Sequence, residues 1–492
     1  MTRKLLLTVI LAAFVSVTAK DDSTRVKFSG WGYFTFGRVE SSPMETGQYD
    51  ITFEKEWLVD FDAGIKAVAS LGKNGKARLH FGLTTAYIVL DYRKDNAEFL
   101  RRRFVPYLVD AALEHTLKFG NNTLFTEFGF FPVKYNPQAM NLGEYLFRSG
   151  TYPPYLSSGF ELADKEKLTG LHTMYRHDFS EKSNIKADLY FSTDMRDYPV
   201  HDFSLSYLLS GNIFQFAEIA TGLSHAHLIV LDERKTTPIT DTVVFRKGTP
   251  YWNNVGFVDS AGDTTGYTFK GTKGMVRLTL NPQAFFSWRY LGKEDLKIYG
   301  EAALLGFKNY PYWYESRKER VPVMFGLNLP THPVFSYGVA PVVGCFFLDA
   351  LSRKQKAGAV LAGIASAGLF TFLEEKTGIR MGLDLLSAEV EWYGSKYWNT
   401  PENVWLHRSP LPYHGSPIAD YASLVPRTDD DWKWSVYASK RIANRIKISA
   451  QVASDHILRT QYMPPPPSFA KYTEIVPRTQ DWYWMTRAMF YF

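Results

Sequence analysis

The 492-residue chain holds a single cysteine, Cys345, so no intramolecular disulfide framework can brace it. Long apolar runs are scarce as well. Mean hydropathy is -0.21, which excludes a bundle of membrane-spanning helices. Nor is there a strong excess of either charge. Lys and Arg number 56 against 50 Asp and Glu, and the resulting +6 is too slight and too scattered to grip nucleic acid. Catalytic signatures are missing: there is no Gly-rich phosphate loop of the required spacing, no HExxH and no Cys/His cluster. His225 and His227 share a strand face at i, i+2, but no third ligand accompanies them, so neither a metal nor a cofactor is expected. His80, His115, His172 and His177 all fall in strand-like stretches, as wall side chains. An enzyme is not expected. No linker divides the chain, although its length would suit two or three soluble domains.

Aromatic residues are abundant, at 16% of the chain with 30 tyrosines. Tyr and Trp suit a membrane–water boundary, where an apolar ring and a polar tip are both satisfied. Strict alternation of polar and apolar residues recurs along the chain, and a helix would not survive it. In residues 57–70, Asp60, Asp62 and Lys66 alternate with Val59, Phe61 and Ile65; in 77–90, Arg78 and His80 alternate with Leu79 and Phe81. Further strands are read at 26–38, 107–119, 123–134, 167–179, 185–194, 200–210, 213–231, 269–281, 296–308, 321–330, 381–394, 432–442, 445–457 and 481–492. Short turns (LGKNGK, GNN, SEKSN, Gly211-Asn212, Ala443-Asn444) alternate in register with long connections. The expected fold is therefore all-β: an antiparallel transmembrane barrel of about 16 strands.

Both ends agree. Arg3 and Lys4 precede a short apolar run and Thr18-Ala19, which reads as a secretory signal peptide over residues 1–19, with the barrel over 20–492. The last stretch, DWYWMTRAMFYF, puts Trp482, Trp484, Phe490 and Phe492 on one face and Arg487 on the other. The pattern VPRTDDDWKW recurs as VPRTQDWYW, placing Trp432, Trp434, Trp482 and Trp484 in one aromatic girdle at the outer interface. A closing aromatic strand ending in Phe resembles that of bacterial outer-membrane β-barrels of the porin type. The resemblance covers nearly all the mature chain but rests on architecture, not on a diagnostic functional motif. It implies a Gram-negative outer-membrane location, Phe490 and Phe492 as the signal read by the barrel assembly machinery, and passive passage of small hydrophilic solutes. A rival reading is an adhesion barrel that grips an extracellular polymer through aromatic, Pro-rich outer loops such as MPPPPSF. Self-association is left open.

The polar strand faces collect Asp60, Asp62, Asp110, Glu114, Glu127, Asp188, Glu301, Glu389, Glu391 and Asp455 against Lys66, Arg78, Lys118, Lys186, Arg277, Lys447 and Arg487. Such charges cannot face lipid, so they belong to an aqueous lumen; acids outnumber bases, so a mild cation preference is expected. Residues 135–166 form the third outer connection. Resemblance to general porins implies that it folds inward, with Glu144, Arg148 and Asp164 at the constriction; Arg101, Arg102 and Arg103, in the second outer loop, are expected to face them. Residues 332–380 depart from a plain porin. Their Ala/Gly-rich stretch KAGAVLAGIASAGLFTFLEEK and the apolar run before it are expected to form a helical hairpin in a periplasmic connection, under or inside the barrel mouth.

Overall fold

The computed structural model describes residues 25–43, 53–89, 100–151, 154–161, 166–193, 202–230, 254–258, 264–268, 271–286, 288, 290–307, 316–339, 353–378, 380–395, 432–443, 445–462 and 470–492. Its first nine strands are β1 (Val26–Ser41), β2 (Trp57–Leu71), β3 (Gly75–Val89), β4 (Leu100–Phe119), β5 (Asn122–Pro132), β6 (Lys167–Ser180), β7 (Ser183–Thr193), β8 (Asp202–Ile213) and β9 (Ala217–Val230). They continue as β12 (Gly271–Leu280), β13 (Ile298–Leu304), β14 (Pro322–Asn328), β15 (Leu385–Tyr393), β16 (Trp432–Ile442), β17 (Ile446–Ser454) and β20 (Trp482–Tyr491). Each pairs antiparallel with the next, and β20 pairs with β1, closing a barrel of 16 strands. Closure satisfies every strand edge, which is the only way a sheet can sit in lipid. The seam ends where Phe492 N–H donates to Gly30 O at 2.9 Å and Gly30 N–H to Phe492 O at 2.6 Å.

The wall is inside out relative to a soluble protein. Ile65 (61% exposed), Phe104 (61%), Phe128 (61%), Val276 (59%) and Phe325 (51%) face outward, and similar side chains continue right round the barrel. Asp62, Asp110, Glu127, Arg277 and Glu301 are buried on the inward face. An apolar belt of this extent is far beyond what a water-soluble surface carries, and its solvent is lipid. Aromatic rings edge it. Phe36, Trp57 and Trp484 pack together at the long-loop end, with Trp432 exposed beside the same rim. Trp434 Nε1 donates to Thr479 O and Trp484 Nε1 to Glu40 Oε1. Phe119, Phe179, Phe214 and Phe285 are exposed toward the short-turn end.

All sixteen expected strands are present, most with ends shifted by a few residues; β4 starts well ahead of the expected 107, at Leu100, so Arg101, Arg102 and Arg103 belong to a strand and not to the second outer loop. Gly211-Asn212 is not a turn, however. β8 runs on to Ile213, and the reversal falls at Phe214 and Gln215, with φ of 51° and 59°. Asn212 caps it through its side chain, Oδ1 accepting from Gln215 N at 3.0 Å, so it serves the turn from outside. Two small hairpins occupy stretches expected to be loop: β10 (Asn254–Val258) with β11 (Thr264–Thr268), and β18 (Leu458–Tyr462) with β19 (Ala470–Glu474). The MPPPPSF segment joining β18 to β19 lies outside the described residues, as do residues 1–24 with the expected signal peptide.

Between β14 and β15 stands α1 (Arg353–Thr377), the helix expected there. Of its proposed partner limb the described part is a wide-turn helix, Val334–Val339, which packs on it with Tyr337 against Phe370 at 4.7 Å. Leu361, Ile364, Leu369 and Phe372 are all more than half exposed, so α1 is not packed inside the lumen. By length and composition it could cross a bilayer.

Candidate pore constriction

The connection after β5 does fold into the barrel. Leu142, Tyr145, Leu146 and Leu156 pack on Leu208, Met275, Tyr299, Met324 and Tyr393 of the wall. Next to Leu208, on the neighbouring strand β7, Tyr190 meets Phe147 at 5.2 Å. Burial of each such apolar side chain contributes about 1.5–3 kcal/mol.

Polar bonds locate the seat. Glu389 on β15 accepts three consecutive backbone amides, from Met140, Asn141 and Leu142, at 2.6, 2.9 and 2.8 Å, and Tyr299 Oη at 2.9 Å. Glu301 on β13 accepts from Tyr135 Oη (2.5 Å), Asn136 Nδ2 (3.0 Å), Glu144 N (3.1 Å) and Tyr145 N (2.9 Å). Glu391 accepts from Tyr145 Oη at 2.7 Å and lies 2.7 Å from His456 Nε2. Burial opposes protonation of His456, but Glu474 and Glu391 together pull its titration upward. Asn141 reaches Asp455, and Lys273 Nζ donates to Ser149 O. Gln138 extends to Asn328 at 3.1 Å, at the short-turn end of β14. Amides turned toward a buried carboxylate make charge-assisted bonds, stronger than neutral ones.

The far end of the loop is held by Glu161, whose backbone is left-handed (φ 55°). Its carboxylate binds Arg487 Nη1 at 2.6 Å, Lys447 Nζ at 2.9 Å and Tyr437 Oη at 2.8 Å. Burial pushes this carboxyl up, but Arg487 and Lys447 outweigh it and hold it at about 2. Arg487 itself lies over the Tyr33 ring at 4.0 Å and the Phe160 ring at 4.8 Å.

The expected site residues divide sharply. Glu144 and Arg148 are in the inserted loop but only 1% and 2% exposed. Glu144 accepts from Asn136 N at 2.7 Å, and Arg148 Nη1 donates to Asn141 O at 2.6 Å. Both shape the loop from within. Asp164 lies outside the described residues; Arg101, Arg102 and Arg103 fall in the backbone of β4, but their side chains are not among those described. Within the lumen set, Arg78 joins Asp110 (2.5 Å), Glu114 and Glu127 (2.7 Å), while Asp62 accepts from Tyr107 Oη at 2.7 Å. Among the described residues no His, Cys, Asp and Glu group could hold a metal ion. The loop-binding roles of Glu301, Glu389 and Asp455, and the His456 link, had no signal in sequence beyond an inward position.

Burial pushes the Glu144 carboxyl up to about 7, against Arg148 and the Asn136 amide. The folded value lies above the ordinary 4.3 or so, so ionisation costs stability from about pH 4.3 upward, and the cost is complete above about pH 7. Replacing Glu144 with Gln keeps an acceptor for Asn136. The variant is expected to gain about 2–4 kcal/mol at pH 8 and little at pH 4. Midpoints for loss of the compact, unboiled gel band at the two pH values check this; equal gains at both would contradict it. Ion selectivity should not move, because the side chain is covered.

No protein-family model matches the chain, nor does any curated protein. Among solved structures it is similar to mutants of a porin from Rhodopseudomonas blastica. One double tryptophan mutant aligns over 95% of this chain and 100% of that one at 8% identity, with a TM-score of 0.39. A triple mutant of the same porin aligns over the same shares at 8% identity, with a TM-score of 0.40.

Proposed function

We propose that this protein is an outer-membrane channel for passive diffusion of small hydrophilic solutes, narrowed by its inserted third loop. The observation that carries the reading is the inverted wall, apolar outward and charged inward, around a loop whose polar anchors gather on one part of it. The loop's polar anchors lie on β12–β17 and β20, while Asp60, Lys66, Arg78 and Glu114 on β2–β4 keep part of their surface exposed. A lumen lined by charges favours water and hydrated solutes over apolar ones.

Purified protein in planar bilayers should give discrete open steps. A barrel that serves only as an adhesin gives none, and that outcome ends the proposal. Orientation follows from the connections: a tag within 232–268 should be reachable on intact cells, and one at 120–122 should not.

A further inference from the structure

The charge balance that a solute meets differs from the one counted along the strands. Of the acids facing the lumen, Glu301 and Glu389 are spent on the inserted loop's amides, and Asp455 on Asn141 and Tyr483. Apart from Asp60 and Glu114, every acid in the lumen set is 6% exposed or less. Of the bases, Arg277 and Arg487 are covered in the same way, but the lysines fare otherwise. Lys118 is exposed, Lys66 is half-buried, and the Lys186 side chain is 36% exposed.

These cations are neighbours. Successive register partners run Lys118 on β4, Thr123 on β5, Arg176 on β6 and Lys186 on β7. Alternation puts Lys118 on the face of Glu114, Arg176 on that of His172, and Lys186 on that of Asp188, all inward. Lys76 shares the face of Arg78 one pleat closer to the turn, and Lys66 pairs with His80 across β2 and β3. The result is an inward basic patch on β2–β7 toward the short-turn mouth: Lys66, Lys76, Arg78, Lys118, Arg176 and Lys186. The acids with substantial exposure there are Glu114 (18%) and Asp178 (36%). Counting covered Asp62, Asp110, Glu127 and Asp188 as well removes that majority, so the cationic excess lies in the exposed side chains alone, and Arg176 and Lys186 are themselves paired with Asp178 and Asp188.

Resting on the channel reading, we propose that the pore selects small anionic solutes, carboxylates and phosphate esters among them, through this patch. A fixed positive field along a narrow aqueous path concentrates anions and excludes cations. The inserted loop takes up part of the lumen, with its polar anchors on β12–β17 and β20 and Phe147 reaching Tyr190 of β7, so the remaining path lies close to the patch.

Reversal potentials across a bilayer in a KCl gradient test this, with chloride and potassium as the probes. The parent should favour chloride, and the preference should shrink in concentrated salt, where screening shortens to about 3 Å at 1 M. Lys66→Gln, Lys118→Gln and Lys186→Gln combined should cut the chloride-to-potassium permeability ratio several-fold, and Lys118→Glu with Lys186→Glu should reverse its sign. An unboiled gel band at the parent position confirms that each variant is folded. A potassium-selective parent, or folded variants with an unmoved potential, overturns the anion assignment while leaving the channel intact. Absence of any open steps overturns the channel reading and this inference with it.

Discussion

Replacing Glu389 with Leu should open the pore. Three adjacent amides, those of Met140, Asn141 and Leu142, would lose their shared acceptor inside the barrel. Each buried N–H left unsatisfied costs about 1–3 kcal/mol, and a solvent-covered seat cannot supply water to all three. The loop is therefore expected to leave β15, while the barrel's own ladder is untouched. Single-channel conductance should rise, and the segment from Met140 to Leu142 should become open to protease. Glu389→Gln retains one carbonyl acceptor and should fall between parent and Leu variant. Adding Glu301→Leu should complete the release, since Glu301 holds Asn136, Glu144 and Tyr145 of the same loop. Unchanged conductance in the double variant would mean that apolar packing alone seats the loop.

The second large effect is expected at Arg487, on the strand that closes the barrel. It stands opposite Thr35 in the β1–β20 register and donates to its hydroxyl at 2.9 Å. It also forms the 2.6 Å ion pair with Glu161 and stacks on Tyr33 and Phe160. Removing one partner of a buried pair typically costs about 3–5 kcal/mol. Arg487→Met should lower the temperature at which the unboiled band is lost, and should unpin the loop at Glu161. Arg487→Lys keeps the charge but loses the planar fork and the stacking, so only partial recovery is expected. Full recovery by Lys would show that charge alone matters there.

The barrel was legible because its physics is local. A wall between lipid and water imposes a period of two, and each of the sixteen strands carries that period in its own residues. Loop insertion was expected only through the porin resemblance, and its anchoring was not legible at all. Alternation tells that Glu389 and Glu301 point inward; it does not tell whether the inward neighbour is water or another segment's amide. Glu144 and Arg148 illustrate the converse. Charges in an inserted loop suggest a lined constriction, but a loop inside a barrel must also satisfy its own carbonyls and amides, and these two side chains are used for that. The turn at Phe214 and Gln215 escaped because neither residue advertises positive φ, whereas Gly211 next to Asn212 does.

The distances along the chain between the loop and its anchors impose an order of events. Asn141 is 314 residues from Asp455, Met140 is 249 from Glu389, and Arg487 is 326 from Glu161. Hairpins between adjacent strands close short loops at small entropic cost and form early; contacts of such long range must wait for the strands that carry them. Full seating of the inserted loop is thus expected to be a late folding step. A nascent barrel that has not yet gained β15–β20 offers the loop Lys273 and Glu301 but not Glu389, Lys447 or Arg487, so its seating is expected to be complete only when the last strand meets the first.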